Sequence, residues 1–148
     1  MTPSSDSKDV VGCRSSLVTD AEFSPNGREL VTVSDDHRGR VWNTSTGKLQ
    51  QALVGHFFPV YSGSFSPDGR WIVTASQFTA GLWNARTGRL LFYLGRDTAP
   101  LTGASFSPDG NWILTGSKDG SARVYHCLIC QPLQGLEATA GARLRALR

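Results

Sequence analysis

Short alternating runs, broken at regular intervals by turn-forming residues, set the pattern of this chain. Leu17-Val18-Thr19-Asp20-Ala21-Glu22-Phe23 leads into Ser24-Pro25-Asn26-Gly27, and Glu29-Leu30-Val31-Thr32-Val33-Ser34 follows. Alternation and β-branching over runs this short predict half-buried strands. Between them, Ser, Pro, Asn and Gly suit the four places of a type I turn, where Pro presets φ at the second and Gly is tolerated at the last. The phrase recurs as Phe65-Ser66-Pro67-Asp68-Gly69 and Phe106-Ser107-Pro108-Asp109-Gly110, at intervals of 42 and 41 residues. Trp71 to Ser76 and Asn111 to Ser117 repeat the second strand, and a third strand ends at an aromatic in each copy: Trp42, Trp83 and Tyr125. The turns Thr46-Gly47-Lys48 and Thr87-Gly88-Arg89 then open a fourth strand. Such a period means one supersecondary unit used three times rather than a single irregular core.

These turns and spacings resemble the WD-repeat β-propeller family, whose signature runs Gly-His, then Ser-Pro-Asp-Gly, then Trp-Asp. Gly55-His56 leads the second unit, and Trp42-Asn43 and Trp83-Asn84 stand where the family has Trp-Asp. From Trp42 to Phe65 and from Trp83 to Phe106 the interval is 23 residues both times. The resemblance covers residues 9 to 126 and implies an all-β fold of three four-stranded antiparallel blades, at about 9–54, 55–94 and 95–131. It also implies a structural hydrogen-bonded set in each blade, linking the strand Trp, an inner Ser or Thr, the His of Gly-His and a turn Asp. No blade carries all four. The first has Trp42, Thr32 and Asp36 with Cys13 in the His position; the second has Trp83, Thr74 and His56 but reads Ser76-Gln77-Phe78-Thr79 through a turn one residue shorter, without Asp. The third has Thr115 and Asp119, with Arg96 replacing His and Tyr125 replacing Trp. A half-satisfied buried network costs stability, so these residues are read as frame rather than chemistry.

At 148 residues the chain is one domain by size, and three blades fill nearly all of it. Propellers usually need about 4–8 blades. Asp9-Val10-Val11-Gly12 sits where the fourth strand of a preceding blade would end, and after Tyr125-His126 the usual turn gives way to Cys127-Leu128-Ile129-Cys130-Gln131-Pro132. The resemblance implies that a last blade borrows its outer strand from an N-terminus, and between two copies of this chain that exchange gives six blades. A homo-oligomer is therefore expected. Residues 1–8, rich in Ser, Thr and Asp, read as a disordered N-terminus. Residues 132–148 read as a helical tail, with Pro132 at its start and Leu133, Leu136, Ala140, Leu144 and Leu147 along it, serving as a cap or a partner-binding helix.

Charge narrows the partners. Of the net +3, the tail contributes +2 through Arg143, Arg145 and Arg148 against Glu137, leaving about +1 on the repeats. That argues against a broad nucleic-acid footprint, with the Arg cluster as a weak anionic contact. No apolar run reaches membrane-spanning length and the first residues lack the core of a signal peptide, which makes the cytoplasm the default.

Candidate chemistry is sparse. Cys127-x-x-Cys130 next to His126 has half of a zinc site's spacing, with Cys13 as a distant third ligand; zinc, a redox disulfide and buried reduced thiols are its readings, the last preferred. His37 takes the place of a turn Gly, where His tolerates positive φ better than most residues. No nucleophile elbow or phosphate loop is present, so neither catalysis nor a cofactor is expected. Phe57, Phe58 and Phe78 fall in loops that the resemblance places on one rim, together with Arg38, Arg96 and Lys118. Exposed aromatics beside cations there are expected to grip a protein or peptide partner. The function expected is a non-catalytic interaction scaffold that completes its ring by self-association. The alternatives are the C-terminal propeller portion of a longer sensor or signalling protein and weak nucleic-acid association through the Arg tail.

Overall fold

The structure, a computed structural model, describes residues 16–95, 98–130 and 145–147. Its first sheet runs β1 (Val18–Phe23), β2 (Glu29–Ser34), β3 (Arg38–Asn43) and β4 (Leu49–Val54) in sequence order, each strand antiparallel to the next. The second repeats it with β5 (Ser62–Phe65), β6 (Trp71–Ala75), β7 (Ala80–Asn84) and β8 (Leu90–Leu94). In the third, β9 (Leu101–Phe106), β10 (Trp112–Ser117) and β11 (Ala122–His126) are completed by β12 (Arg145–Leu147).

The register repeats from blade to blade. Phe23 pairs with Leu30 and Leu30 with Trp42; Phe65 pairs with Ile72 and Ile72 with Trp83; Phe106 pairs with Ile113 and Ile113 with Tyr125. Each hairpin is fixed by its Ser-Pro-Asx-Gly turn. The Gly N–H donates to the Ser carbonyl at 2.9 Å in all three copies, and the glycines take φ of 71°, 74° and 76°. The Ser hydroxyl, held by Asn26, Asp68 or Asp109, also accepts the N–H of Glu29, Trp71 or Trp112 at 3.0 Å.

Blades stack face to face, and the core lies between them. Val31, Val33, Val41 and Leu53 of the first blade pack with Phe65, Ile72 and Trp83 of the second in one buried cluster. Val73, Ala75, Leu82 and Leu94 pack with Leu101, Ala104, Ile113 and Tyr125 in the next. The innermost strands are also stitched by polar contacts: Asp20 accepts the Gly63 N–H at 3.1 Å, and Glu22 accepts the Phe65 N–H at 3.2 Å.

Three expectations change at the ends. The outer position of the third blade is taken by β12, where Tyr125 pairs with Ala146 and His126 with Arg145, so no strand from a second copy is needed there. The helix expected over 132–148 is absent at residues 145–147, which are extended; the remainder of that tail lies outside the described residues, as do Cys13, the strand expected at 9–12 and the segment expected to be disordered at 1–8. Cys127 and Cys130 form a disulfide with Cα atoms 5.3 Å apart, buried beneath the third blade, in place of reduced thiols. A 3-10 turn over Leu128–Cys130, closed by the Cys130 N–H on the Cys127 carbonyl at 3.1 Å, brings the two sulfurs to one side. No group of three or more His, Cys, Asp or Glu residues able to hold a metal occurs among the described residues; His126 instead stacks on Trp112 with ring centroids 4.5 Å apart.

Candidate functional site

Antiparallel topology sends the β2–β3, β6–β7 and β10–β11 turns to the same end of the blades as the β4–β5 connection. Phe57, Phe58, Phe78, Arg38 and Lys118 lie at that end. Phe58, in the connection, meets Phe78, in the β6–β7 turn, edge to face at 5.5 Å between centroids and 89° between planes. Such T-shaped pairs are favoured by the ring quadrupole. The loop that carries Phe58 is tethered from below, because the Ser76 hydroxyl lies 3.1 Å from the Phe58 carbonyl and 2.8 Å from that of Pro59. Phe58 remains 43% exposed and Phe57, beside it, 81% exposed. Phe57 therefore projects into solvent instead of packing between blades.

Arg38, at the start of β3 in the first blade, and Lys118, in the β10–β11 turn of the third, are exposed. Arg96 lies outside the described residues. Asp36, next to Arg38, bonds Arg40 at 2.6 Å and accepts the Arg38 N–H at 3.1 Å. Burial pushes its pKa up, but the Arg40 hydrogen bond and charge more than offset this and hold its carboxyl below the usual range. Asp119 closes its own turn by accepting the Ser121 hydroxyl and N–H at 2.5 and 2.8 Å, and these bonds likewise lower its pKa. His37 takes φ of 72°, the left-handed conformation that Gly usually supplies in this turn.

Beneath the rim sits the frame. Trp42 Nε1 donates to Thr32 Oγ1 at 2.9 Å, and Trp83 Nε1 to Thr74 Oγ1 at 2.8 Å. His56 Nε2 lies 2.6 Å from the same Thr74 oxygen, while its Nδ1 is buried with no hydrogen-bond partner. Burial, then the nearby charge of His37, lowers the His56 pKa from 6.5 to about 4. Thr115 and Tyr125 are both buried in the third blade. Asn43 and Asn84, standing for the Asp of Trp-Asp, cap the next turn: each side-chain oxygen accepts two backbone N–H groups, at 2.9 Å from Ser45 and Thr46 and at 2.9 and 3.1 Å from Arg86 and Thr87.

Sequence reasoning missed one feature. At the opposite end of the strands, a cleft of about 820 Å³ opens between the first two blades, lined among others by Glu29, Gln51, Asp68, Arg70, Trp71 and Arg86. Nothing in a single repeat signals it, because its wall is shared between two units. The Arg143, Arg145 and Arg148 cluster lies where no side chain is described. No helix among the described residues is long and apolar enough to cross a membrane.

Comparison with known proteins agrees with this geometry. The family model for the WD domain, G-beta repeat, matches residues 6–43, 47–84 and 88–126. The chain is 37% identical over 68 residues to protein tipD of Dictyostelium discoideum, a match covering 46% of this chain and 11% of that protein. It is 37% identical over 60 residues to an uncharacterized WD repeat-containing protein of Synechocystis sp., covering 40% of this chain and 17% of that protein. A third match, 36% over 62 residues, is to an uncharacterized WD repeat-containing protein of Schizosaccharomyces pombe, covering 42% of this chain and 16% of that one. The chain thus spans less than a fifth of the length of each of these relatives. Repeats of this type generally mediate protein–protein interaction and are generally non-catalytic. With three signature turns, three four-stranded blades and three family matches in register, the chain belongs to the WD domain, G-beta repeat family.

Proposed function

We propose that this chain is a protein-interaction scaffold that binds an extended peptide on the rim formed by Phe57, Phe58 and Phe78, with Arg38 and Lys118 at the same end. The observation that carries this reading is the Phe58–Phe78 pair at 5.5 Å, tethered through Ser76 yet open to solvent. Rigid aromatic rings bury area at small entropic cost, and cations at the same end favour acidic residues in the bound segment. Ring completion by self-association is part of the same reading, and the cytoplasm is its expected compartment. A second arrangement, in which blades of a longer polypeptide complete the ring, draws on the relatives, each of which extends well beyond the matched stretch. The rim is tested by screening acidic and aromatic peptides on an array against the wild type and Phe58→Ala. Selective capture of acidic-aromatic peptides, lost in a folded Phe58→Ala variant, supports it; binding indifferent to Phe58 removes it.

A further inference from the structure

The lateral faces of the first and third blades are built as the two halves of an interface the chain already makes internally, and we propose that a second copy of this chain occupies both, head to tail. This rests on the self-association reading and supplies its surfaces.

Each internal interface has a leading and a trailing side. On the second blade, Phe65, Ile72 and Trp83 form the leading side and are covered by the trailing side of the first, Val31, Val33, Val41 and Leu53. By register, Phe23, Leu30 and Trp42 are the leading side of the first blade, since Phe23 pairs with Leu30 and Leu30 with Trp42 as Phe65 does with Ile72 and Ile72 with Trp83. Phe65 is 5% exposed, whereas Phe23 is 63% exposed. The trailing side of the third blade is open in the same way. Leu114 pairs with Val124 as Val73 pairs with Leu82, yet Val73 is fully buried and Leu114 is 45% exposed. Pro108, Trp112, Leu114 and Val124 there line an apolar cleft of about 510 Å³.

Side-chain sizes at the open faces also match. Inside the chain, Val33 presses on Gly63 so closely that a Cβ there would lie 2.8 Å from Val33 Cγ1. In the next interface the same two register positions hold Ala75 and Ala104. At the open faces they hold Gly116, on the third blade, and Ala21, on the first. In each pair at least one member is Gly or Ala, so the open faces keep the small residue that the close approach of the strands requires inside the chain. A polar feature recurs too. Thr19 Oγ1 bonds the Val60 carbonyl across the first interface, and Thr102 returns to the Thr19 position on the exposed trailing side.

A trailing face on a leading face is a heterologous contact, and in a ring of six blades two copies make it twice. Sedimentation equilibrium at micromolar concentration is expected to give twice the chain mass for the wild type and the single-chain mass for Phe23→Lys and for Leu114→Asp. Both changes are at exposed positions, and circular dichroism checks that the variants stay folded. Mixing the two variants is the decisive arm, because one interface in the mixed pair is then wild type and the other carries Lys opposite Asp. Recovery of the dimer on mixing supports head-to-tail pairing. A monomeric wild type overturns both this pairing and self-association. A dimer that survives both substitutions, or that is broken by Phe23→Lys alone, overturns this pairing while leaving self-association in place.

Discussion

His56 and Trp83 are joined through one atom, the Thr74 hydroxyl oxygen, at 2.6 and 2.8 Å. The other ring nitrogen of His56 is buried without a partner, because the β6–β7 turn has no carboxylate to supply one and carries Phe78 instead. Phe78 stands in the turn where the other blades carry Asp36 and Asp119, so one position both leaves the His56 ring without a carboxylate and supplies the rim aromatic.

A pH dependence follows from that histidine. Its folded pKa, about 4, lies below the 6.5 of a free His, so between these values the unfolded chain binds the proton more readily. The neutral ring's stabilising contribution is complete above about pH 6.5 and declines as pH falls, by about 1.4 kcal/mol per unit down to about pH 4. Urea unfolding at about pH 7 and pH 4.5 is expected to differ by roughly 2–3 kcal/mol from this residue. His56→Gln, which cannot take up the proton, is expected to flatten that slope; an unchanged slope would place the titration elsewhere.

The two tryptophans are expected to differ in weight. Trp83 is fully buried in the cluster between two blades, whereas Trp42, also buried at 6% exposure, belongs to neither cluster between blades. Trp83→Ala is expected to cost about 3–5 kcal/mol, with Trp42→Ala at or below the lower end of that range in the monomer. Thr74→Val leaves the Trp83 N–H and His56 Nε2 unpaired and is expected to cost about 1–3 kcal/mol. Chemical denaturation of the three variants checks the order.

Reduction of the Cys127–Cys130 disulfide is expected to have a modest effect. It closes a loop with a sequence separation of only 3 residues, for which the chain-entropy relation gives about 2 kcal/mol or less. A thermal shift of a few degrees on adding a reductant, with the spectrum of the folded state retained, is the expected outcome. Chelator is expected to change nothing.

Repetition made the blades legible. The type I turns, the strand aromatics and the His56 position each depend on local chemistry that recurs at a fixed spacing, so Phe23, Phe65 and Phe106 announce one another. Where repetition stops, legibility stops. The tail beyond Pro132 has apolar spacing suited to a helix, yet Arg145–Leu147 lies against β11, because an unpaired outer edge of the third blade offers backbone hydrogen bonds that override propensity. The spacing of Cys127 and Cys130 suits thiols, zinc or a disulfide alike, because burial of both cysteines side by side is a tertiary fact. The family resemblance places Phe57 and Phe78 on one rim, but that Phe78 meets Phe58 while Phe57 stays exposed depends on how the two loops pack.

The stacking of blades can be tested at the tightest point between the first two. A Cβ on Gly63 would lie 2.8 Å from Val33 Cγ1, a separation that forces the neighbour to move, and Val33 is fully buried with no slack. Gly63→Ala is accordingly expected to destabilise by about 1–3 kcal/mol, the usual range for overpacking. Val33→Ala alone removes two buried methyl groups and is expected to cost about 1–3 kcal/mol through lost burial and a small cavity. Combined, the two changes recreate the Ala75 and Ala104 arrangement of the neighbouring interface, where both residues sit in one buried cluster. The double variant is therefore expected to be more stable than the sum of the single losses predicts, by at least about 1 kcal/mol. A double-mutant cycle measured in urea decides it: additive losses would mean that Val33 and Gly63 do not set the distance between blades.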